Sequence, residues 1–418
     1  MADLVHRNAT DLAREALEHF PVVVLQGVRR SGKSTLAGKL ASTVPHEVVS
    51  LDDDETRAGA LEDPRTLLEP ARTGRLMVID EIQRVPDLIL SVKAEVDRLK
   101  EPGRFILTGS SDFLALPTIP DSLAGRAATI RLRPFSQGEI QGYKEDFVSH
   151  VCEELDRVPN LTTGWTRQMY ADVSWRGGYP EPLELDEPWR SMWLDSYLER
   201  MTSRDAQSVS ERVSSPRLRT VLRLLAANQA GELVKAHLSR DAGISDSSVT
   251  TCLDTLTTLF LMDSIPPWTA NLAKREVGRA KTVVSDPGLA LHLTRVTRSQ
   301  LVSDQGGTWM GHTLEGLVVT ELLKQRTWSA TRWDLSHFRD RNGLEVDAVV
   351  ELEDGRVILI EVKSSATYRT EYFEPMKKLA EGLGDRLVAG IVMGTSDHGW
   401  RYSEKMVGLP ISALWQEW

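Results

Sequence analysis

Eight residues, Gly27-Val28-Arg29-Arg30-Ser31-Gly32-Lys33-Ser34, constrain this chain more than any other stretch. They fit the pattern G-x-x-x-x-G-K-[ST]. They follow a buried-strand run over 21–26 and open a helix that continues through 36–42. The order is what the chemistry requires. Glycines let backbone N–H groups wrap phosphates, and the helix N-terminus adds its dipole. Lys33 then reaches the β- and γ-phosphates, and the Ser34 hydroxyl ligates Mg²⁺. With Thr35 beside them, these residues are the expected site for ATP and Mg²⁺. Arg29 and Arg30 either touch phosphates or a partner, or are solvated.

Further apolar runs at 48–51, 76–80 and 105–108 alternate with helical patterns. Continuous apolar strands separated by helices read as a parallel sheet covered on both faces. The run at 76–80 ends in Asp80-Glu81. Two acids at a strand end put Asp80 near Mg²⁺, through its waters, and Glu81 near the attacking water as the polarising base. The bland alternative is an exposed acidic strand end. The next strand leads into Thr108-Gly109-Ser110-Ser111, where Ser110 is the first choice to see the γ-phosphate and Thr108 the second. A turn rich in small polar residues would look the same. Arg126, at the end of Ser122-Leu123-Ala124-Gly125-Arg126, either brings a guanidinium to the γ-phosphate of its own or a neighbouring chain, or makes a surface ion pair.

Beyond residue 135 the pattern changes. Residues 136–208 are mainly helical and read as a lid or connector. Residues 216–266 hold helix candidates at 217–228, 234–241 and 245–259, then a strand at 260–265, the element order of a winged helix. The 245–258 helix carries no Arg, Lys, Asn or Gln for base edges. Basic residues come later, at Lys274, Arg275, Arg279 and Lys281, where a wing or its exit would lie. DNA contact here would go to phosphates without sequence preference; packing or protein contact is the other use. From about residue 308 an α/β domain begins, with a helix at 312–325 and strands at 333–338, 345–352 and 357–363.

In that last domain Asp347 and Glu361 are candidate ligands for Mg²⁺ or Mn²⁺. Lys363 would position water or steady a pentavalent phosphate. Glu361 and Lys363 share a strand face. Asp347 joins them only if the turn is right. A two-residue loop, Asp354-Gly355, pairs Asp347 with Val362 and turns it away. A three-residue loop, Glu353-Asp354-Gly355, sets it opposite Glu361. Glu315 is either a further metal-side acid or a solvated helix-surface acid.

Composition bounds these readings. The chain has 418 residues, 41% hydrophobic and 26% charged, with formal net charge −10. That length suggests roughly two to four domains. The acidic balance argues against a basic coat for nucleic acid, so any such affinity should be modest and salt-sensitive. No apolar run approaches the ~18 residues of a membrane helix, and charges interrupt the first 19 residues. A cytoplasmic protein with no membrane partner is expected. Cys152 and Cys252 make neither a disulfide framework nor a zinc site.

The ordered set Gly27–Thr35, Ser50-Leu51-Asp52-Asp53, Val78-Ile79-Asp80-Glu81-Ile82-Gln83, Leu107-Thr108-Gly109-Ser110-Ser111, Ser122 to Arg126, Pro134-Phe135-Ser136-Gln137-Gly138-Glu139, Gly177-Gly178-Tyr179-Pro180-Glu181-Pro182, Ser285-Asp286-Pro287-Gly288-Leu289, Glu345-Val346-Asp347 and Glu361-Val362-Lys363 resembles one family. It is that of bacterial and archaeal ATPases joining an AAA-type P-loop domain to a C-terminal domain of unknown function that resembles PD-(D/E)xK nucleases. The resemblance runs over nearly the whole chain. It implies an α/β fold with an AAA-like P-loop core (1–135), a helical lid (136–208), a winged helix (209–300) and a nuclease-like end (301–418). The leading expectation is an ATPase coupled to DNA or RNA processing, with phosphodiester cleavage by the last domain. The alternative is an ATP-driven switch, of the defence or toxin–antitoxin kind, whose last domain binds nucleic acid or a protein partner without cutting. A homo-oligomer is the arrangement in which Arg126 would serve a neighbour.

Overall fold

The computed structural model describes residues 5–115, 123–269, 278–303 and 307–418. Five short strands build the first sheet: β1 (Val22–Gln26), β2 (His46–Ser50), β3 (Leu76–Asp80), β4 (Phe105–Gly109) and β5 (Ala127–Arg131). Their order is β2-β3-β4-β1-β5, and every neighbouring pair is parallel. Helices α1 (Ala9–His19) and α2 (Lys33–Ala41) pack on Val23, Leu25, Val78 and Ile106, and α3 (Leu88–Leu99) packs on Val22, Val24, Met77 and Ile79. Both faces are covered, which is why β1, β3 and β4 read as continuous apolar runs. β5 escaped the sequence reading because an edge strand needs no such run: its residues Ala-Ala-Thr-Ile-Arg are mostly half-exposed.

The helical stretch that follows serves two different cores. After α4 (Gln137–Gln141), α5 (Phe147–Glu154) and α6 (Arg167–Arg176) bury Phe147, Val151 and Tyr170 against the C-terminal sheet. The next helix, α7 (Glu187–Arg200), instead joins α8 (Ser215–Ala227), α9 (Lys235–Ala242) and α10 (Asp246–Thr258) in a middle cluster. α9 stops at Gly243, φ 64°, a left-handed position that suits glycine, and the Ser245 hydroxyl caps α10. Two antiparallel strands, β6 (Met262–Ile265) and β7 (Lys281–Val284), and helix α11 (Pro287–Thr294) complete this region.

The C-terminal part begins with α12 (Gly307–Gln325). Its sheet contains β8 (Trp333–Arg339), β9 (Glu345–Leu352), β10 (Val357–Val362), β11 (Leu387–Gly394), β12 (Trp400–Arg401) and β13 (Met406–Pro410), in the order β12-β13-β11-β10-β9-β8. α12 covers one face through Leu314, Leu317 and Val318, and α13 (Glu374–Leu383) covers the other through Met376 and Leu383. Among the described residues no helix is long and apolar enough to cross a membrane.

Buried polar contacts join the three regions. Glu321 on α12 accepts the Gln137 amide at 2.8 Å and pairs with Lys324 at 2.6 Å, with both side chains essentially unexposed. Asp263 on β6 receives Arg131 at 2.9 Å, and Arg133 as well. Burial alone would raise the Asp263 carboxyl, but the two guanidinium groups hold it below its usual value. Removing one partner of a buried ion pair leaves a charge uncompensated, at about 3–5 kcal/mol. Asp263→Ala should therefore lower the unfolding free energy of the full chain by an amount of that order, read as a lower urea midpoint. Because the carboxyl pKa is depressed on folding, its contribution should be full above about pH 4 and fade on acidification. A midpoint within error of the unmutated protein would refute this.

Candidate functional site

A parallel sheet sends every strand's C-terminal end to the same edge, and that edge holds the first site. The phosphate loop leaves β1 at Gly27, with its amide on the Gly109 carbonyl at 3.2 Å. A side chain at Gly27 would strike the Leu132 carbonyl oxygen, only 2.0 Å from where a Cβ would sit. Arg30 (φ 64°) and Gly32 (φ 90°) are left-handed, which curls the loop before α2 begins at Lys33. Lys33 is buried, and its ammonium donates to the Val28 carbonyl at 2.9 Å. Burial pushes it down to about 8, against the pull of Glu81 and Asp80. Ser34 and Thr35 are exposed at the helix start.

The acids stand opposite. The Ser34 hydroxyl donates to Asp80 Oδ1 at 2.6 Å, and the Thr108 hydroxyl to the same oxygen at 2.5 Å. A hydroxyl and a carboxylate oxygen on one point are the hard donors Mg²⁺ takes, so this pair fits the ion. Glu81 is left-handed, φ 59° and ψ 47°, a conformation costing a non-glycine residue about 1–3 kcal/mol. Its amide donates to Thr108 Oγ1 at 3.1 Å, and its carboxylate accepts from Ser110 at 2.9 Å and from the Gln83 amide. Ser110 thus attaches to Glu81, and Thr108 to both Asp80 and Glu81. Gln83 had no role in the sequence reading, although its i+2 spacing from Glu81 was available as a signal.

The arginines separate. Arg29 lies 3.8 Å from Asp52 and 3.9 Å from Asp205, and it lines a cavity of about 430 Å³ with Arg84 and Ser110. Arg30 pairs with Glu181 at 2.9 Å. Arg126 does not come to this edge. It precedes β5, so the whole strand, about 16 Å at ~3.3 Å per residue, separates it from the loop. Its guanidinium pairs with Asp97 at 2.6 Å instead. The expectation that it reaches its own chain's γ-phosphate is corrected on that geometry. Ser122 lies outside the described residues.

A second site forms in the C-terminal sheet. The β9–β10 register pairs Ile360 with Ala348, and Leu352 bonds Arg356 across Glu353-Asp354-Gly355, with Gly355 at φ 81°. The three-residue loop is therefore the one formed, and its register sets Asp347 opposite Glu361. Asp347 Oδ2 accepts the Val362 amide at 2.9 Å, and Lys363 donates to Glu361 at 2.5 Å. Glu315 on α12 also faces this cluster, with a side chain 15% exposed, so the solvated-surface reading fails. Burial, then Asp347, pushes Glu315 up to about 8 and Glu361 up to about 7.

One residue there was misread. Lys281 does not lie on an exposed wing. Its side chain is 4% exposed, and its ammonium sits 2.6 Å from Glu315, 2.9 Å from Glu345 and 3.4 Å from Asp347. Burial would lower it, but these three acids raise it above its usual value. Glu345 was also missed, although it shares a strand face with Asp347 at i+2. Among the described residues no three His, Cys, Asp or Glu side chains are arranged to hold a metal ion. Glu361 Oε2, however, is buried with no hydrogen-bond partner, which leaves one oxygen suited to a cation. Lys363, Glu361 and Lys281 line a cavity of about 740 Å³ whose far wall is α8 and α9. Arg279 is exposed, and Lys274 and Arg275 lie outside the described residues.

Comparison with known proteins bears on the domain that carries the first site. Residues 19–141 match the family model of an AAA domain, residues 167–300 a domain of unknown function (DUF8612), and residues 310–414 another domain of unknown function (DUF4143). The N-terminal region is thus an AAA-type domain with a P-loop ATPase-like parallel sheet. Two uncharacterized proteins, from Mycobacterium bovis and Mycobacterium tuberculosis, are each 27% identical over 417 residues, 98% of this chain and 84% of theirs. Among solved structures, a Walker-type ATPase of Pyrococcus abyssi aligns over 70% of this chain and 96% of its own, with 19% identity and TM-score 0.44. AMPPCP-bound DnaA of Aquifex aeolicus aligns over 60% and 88%, with 13% identity and TM-score 0.30.

A buried ammonium that hydrogen-bonds a neutral carbonyl, with burial outweighing the pull of Glu81 and Asp80, gains from an arriving polyphosphate. Lys33, at about 8 when free, should rise on nucleotide binding. Above about pH 8 binding should therefore take up a proton, and affinity should fall as pH rises, by at most tenfold per unit. Calorimetry at pH 8.5 in buffers of different ionisation enthalpy checks this. Buffer-independent heats would exclude the linkage.

Proposed function

We propose that this chain hydrolyses ATP at the phosphate loop and couples turnover to nucleic-acid processing by its C-terminal domain. The observation that carries the ATPase reading is the Ser34–Asp80 hydrogen bond with Glu81 fixed beside it. Mg²⁺, when bound, neutralises charge on the β- and γ-phosphate oxygens. Lys33 exchanges the Val28 carbonyl for phosphate oxygens, and the loop amides that follow Gly27 wrap the remainder. Glu81 accepts a hydrogen bond from water in place of Gln83 and takes its proton as attack proceeds. Arg126, at the far edge of the sheet, acts only if a neighbouring copy presents its own nucleotide.

For the C-terminal domain, the register that sets Asp347 opposite Glu361, with Lys363 bonded to Glu361, supports a PD-(D/E)xK-like metal site. Asp347, Glu361 and Glu315 would hold Mg²⁺ or Mn²⁺, which would supply a Lewis acid for activating water and neutralising the phosphate. α8, α9, α10, β6 and β7 follow winged-helix order, which supports a DNA- or protein-contacting middle domain. A second reading, an ATP-driven switch that binds without cutting, is favoured by one observation: the Lys281 ammonium lies among these carboxylates.

Two experiments test the pair. Lys33→Ala should abolish nucleotide binding. Glu81→Gln should keep it and slow turnover by about 100-fold or more, the scale of a lost general base; unchanged turnover would remove Glu81 from that role. For the C-terminal domain, plasmid and RNA panels with ATP and Mg²⁺ or Mn²⁺ should be cut by the unmutated protein and not by Lys363→Ala. Equal cutting by both, or none by either, leaves the switch as the reading.

A further inference from the structure

We propose that Lys281 is a resident counter-ion that closes the C-terminal acid cluster, holding with its ammonium the place a divalent cation would take. This rests on the reading of Asp347, Glu361 and Glu315 as a cation site. The lysine and the acids come from different parts of the chain. Lys281 opens β7, inside the segment matched over 167–300, while Glu315, Glu345 and Asp347 lie in the segment matched over 310–414. The middle region thus reaches into its neighbour's cluster.

Three features specify the contact. The backbone of Lys281 is fixed on two sides, by pairing with Ile265 in β6 and by a bridge to Glu232. Its ammonium meets one oxygen from each of three carboxylates at 2.6–3.4 Å. Oxygen ligands of Mg²⁺ or Ca²⁺ lie at about 2.0–2.6 Å and converge in just this way. An ammonium and a dication cannot share those oxygens, because like charges at contact repel strongly in a buried site. Meanwhile Glu361 Oε2 stays buried without a partner beside the cavity. The cluster is assembled, and it is filled from within.

Opening it needs no refolding. Lys281 itself lines the 740 Å³ cavity, so rotation of its four-carbon stem can carry the ammonium from the acids into that space while β7 stays paired. The carboxylates left behind would then attract a divalent cation. Lys281 is a positioning residue here, acting through the cation it excludes.

Mn²⁺ binding to the full chain without nucleotide tests this. An Asp80→Asn background silences the metal position at the phosphate loop. Electron paramagnetic resonance of free Mn²⁺ should show no Asp347-dependent binding while Lys281 is present. Lys281→Met should bind one Mn²⁺ at least tenfold more tightly, and adding Asp347→Asn should abolish it. In thermal unfolding, Mn²⁺ should raise the Tm of Lys281→Met and not that of its parent. Should Lys281→Met fail to fold, Glu345→Gln removes one anchor of the ammonium and should strengthen Mn²⁺ binding several-fold. Equal, Asp347-dependent binding with and without Lys281 overturns the proposal and leaves the metal site standing. No binding in either protein overturns both. An unchanged Glu345→Gln with an unfolded Lys281→Met overturns the proposal too.

Discussion

A parallel strand can deliver its last residue to only one edge of its sheet, and the nucleotide site depends on that restriction. β1, β4 and β3 lie side by side and end at Gln26, Gly109 and Asp80. The loop, the Thr108–Ser110 turn and the acids therefore meet without any long-range accident of folding. β4 sits between the loop strand and the acid strand, so Thr108 can hold Asp80 Oδ1 and the Glu81 amide together. The same restriction removes Arg126. A residue before a parallel strand stands at the opposite edge, whatever its chemistry.

The loop is not isolated from the rest of the chain. Val28 is buried with Tyr179, Leu194 and Leu289 in the middle cluster, and Arg30 pairs with Glu181. The turn that carries Tyr179 is held by Asp286, whose Oδ2 accepts the Gly178 amide at 2.7 Å while Oδ1 caps α11. A side chain at Gly177 would meet Asp286 Oδ1 at 2.3 Å, so glycine is required there for contact. Asp286 lies two residues beyond β7, the strand that Lys281 opens. Contiguous packed contacts thus run from the phosphate loop to the strand bearing the buried lysine. Contiguity is what coupling needs, though it is not coupling by itself.

Legibility in the sequence followed the range of each interaction. The loop, the paired acids and the strand–helix alternation are local patterns, and residues within a few positions determine them. The β9–β10 turn was half legible: Asp354-Gly355 suits two loops, and only the register of Leu359 against Val349 and Ile360 against Ala348 chooses the longer one. Glu315 was half legible, as a metal-side acid or a solvated one, and Lys281 was not legible. A lysine that begins a four-residue strand looks like a wing charge until the sheet supplying its partners is folded, and those partners lie 34 to 66 residues away. β5 hid for another reason, since an edge strand that is half exposed carries little hydrophobic signal.

The two buried lysines show how surroundings divide one side chain between two tasks. Lys33 and Lys281 are 4% and 3% exposed. The first is held by a neutral carbonyl oxygen, and burial draws it down to about 8. The second is held by three carboxylates, whose charges outweigh the same burial and raise it. Desolvation penalises a lone ammonium until an anion arrives. At the loop Glu81 and Asp80 offset that penalty only in part, so the ammonium still gains from an arriving polyphosphate. Among Glu315, Glu345 and Asp347 the anions are already built in. The ammonium there satisfies the protein's own charge, and any cation that binds must first displace it.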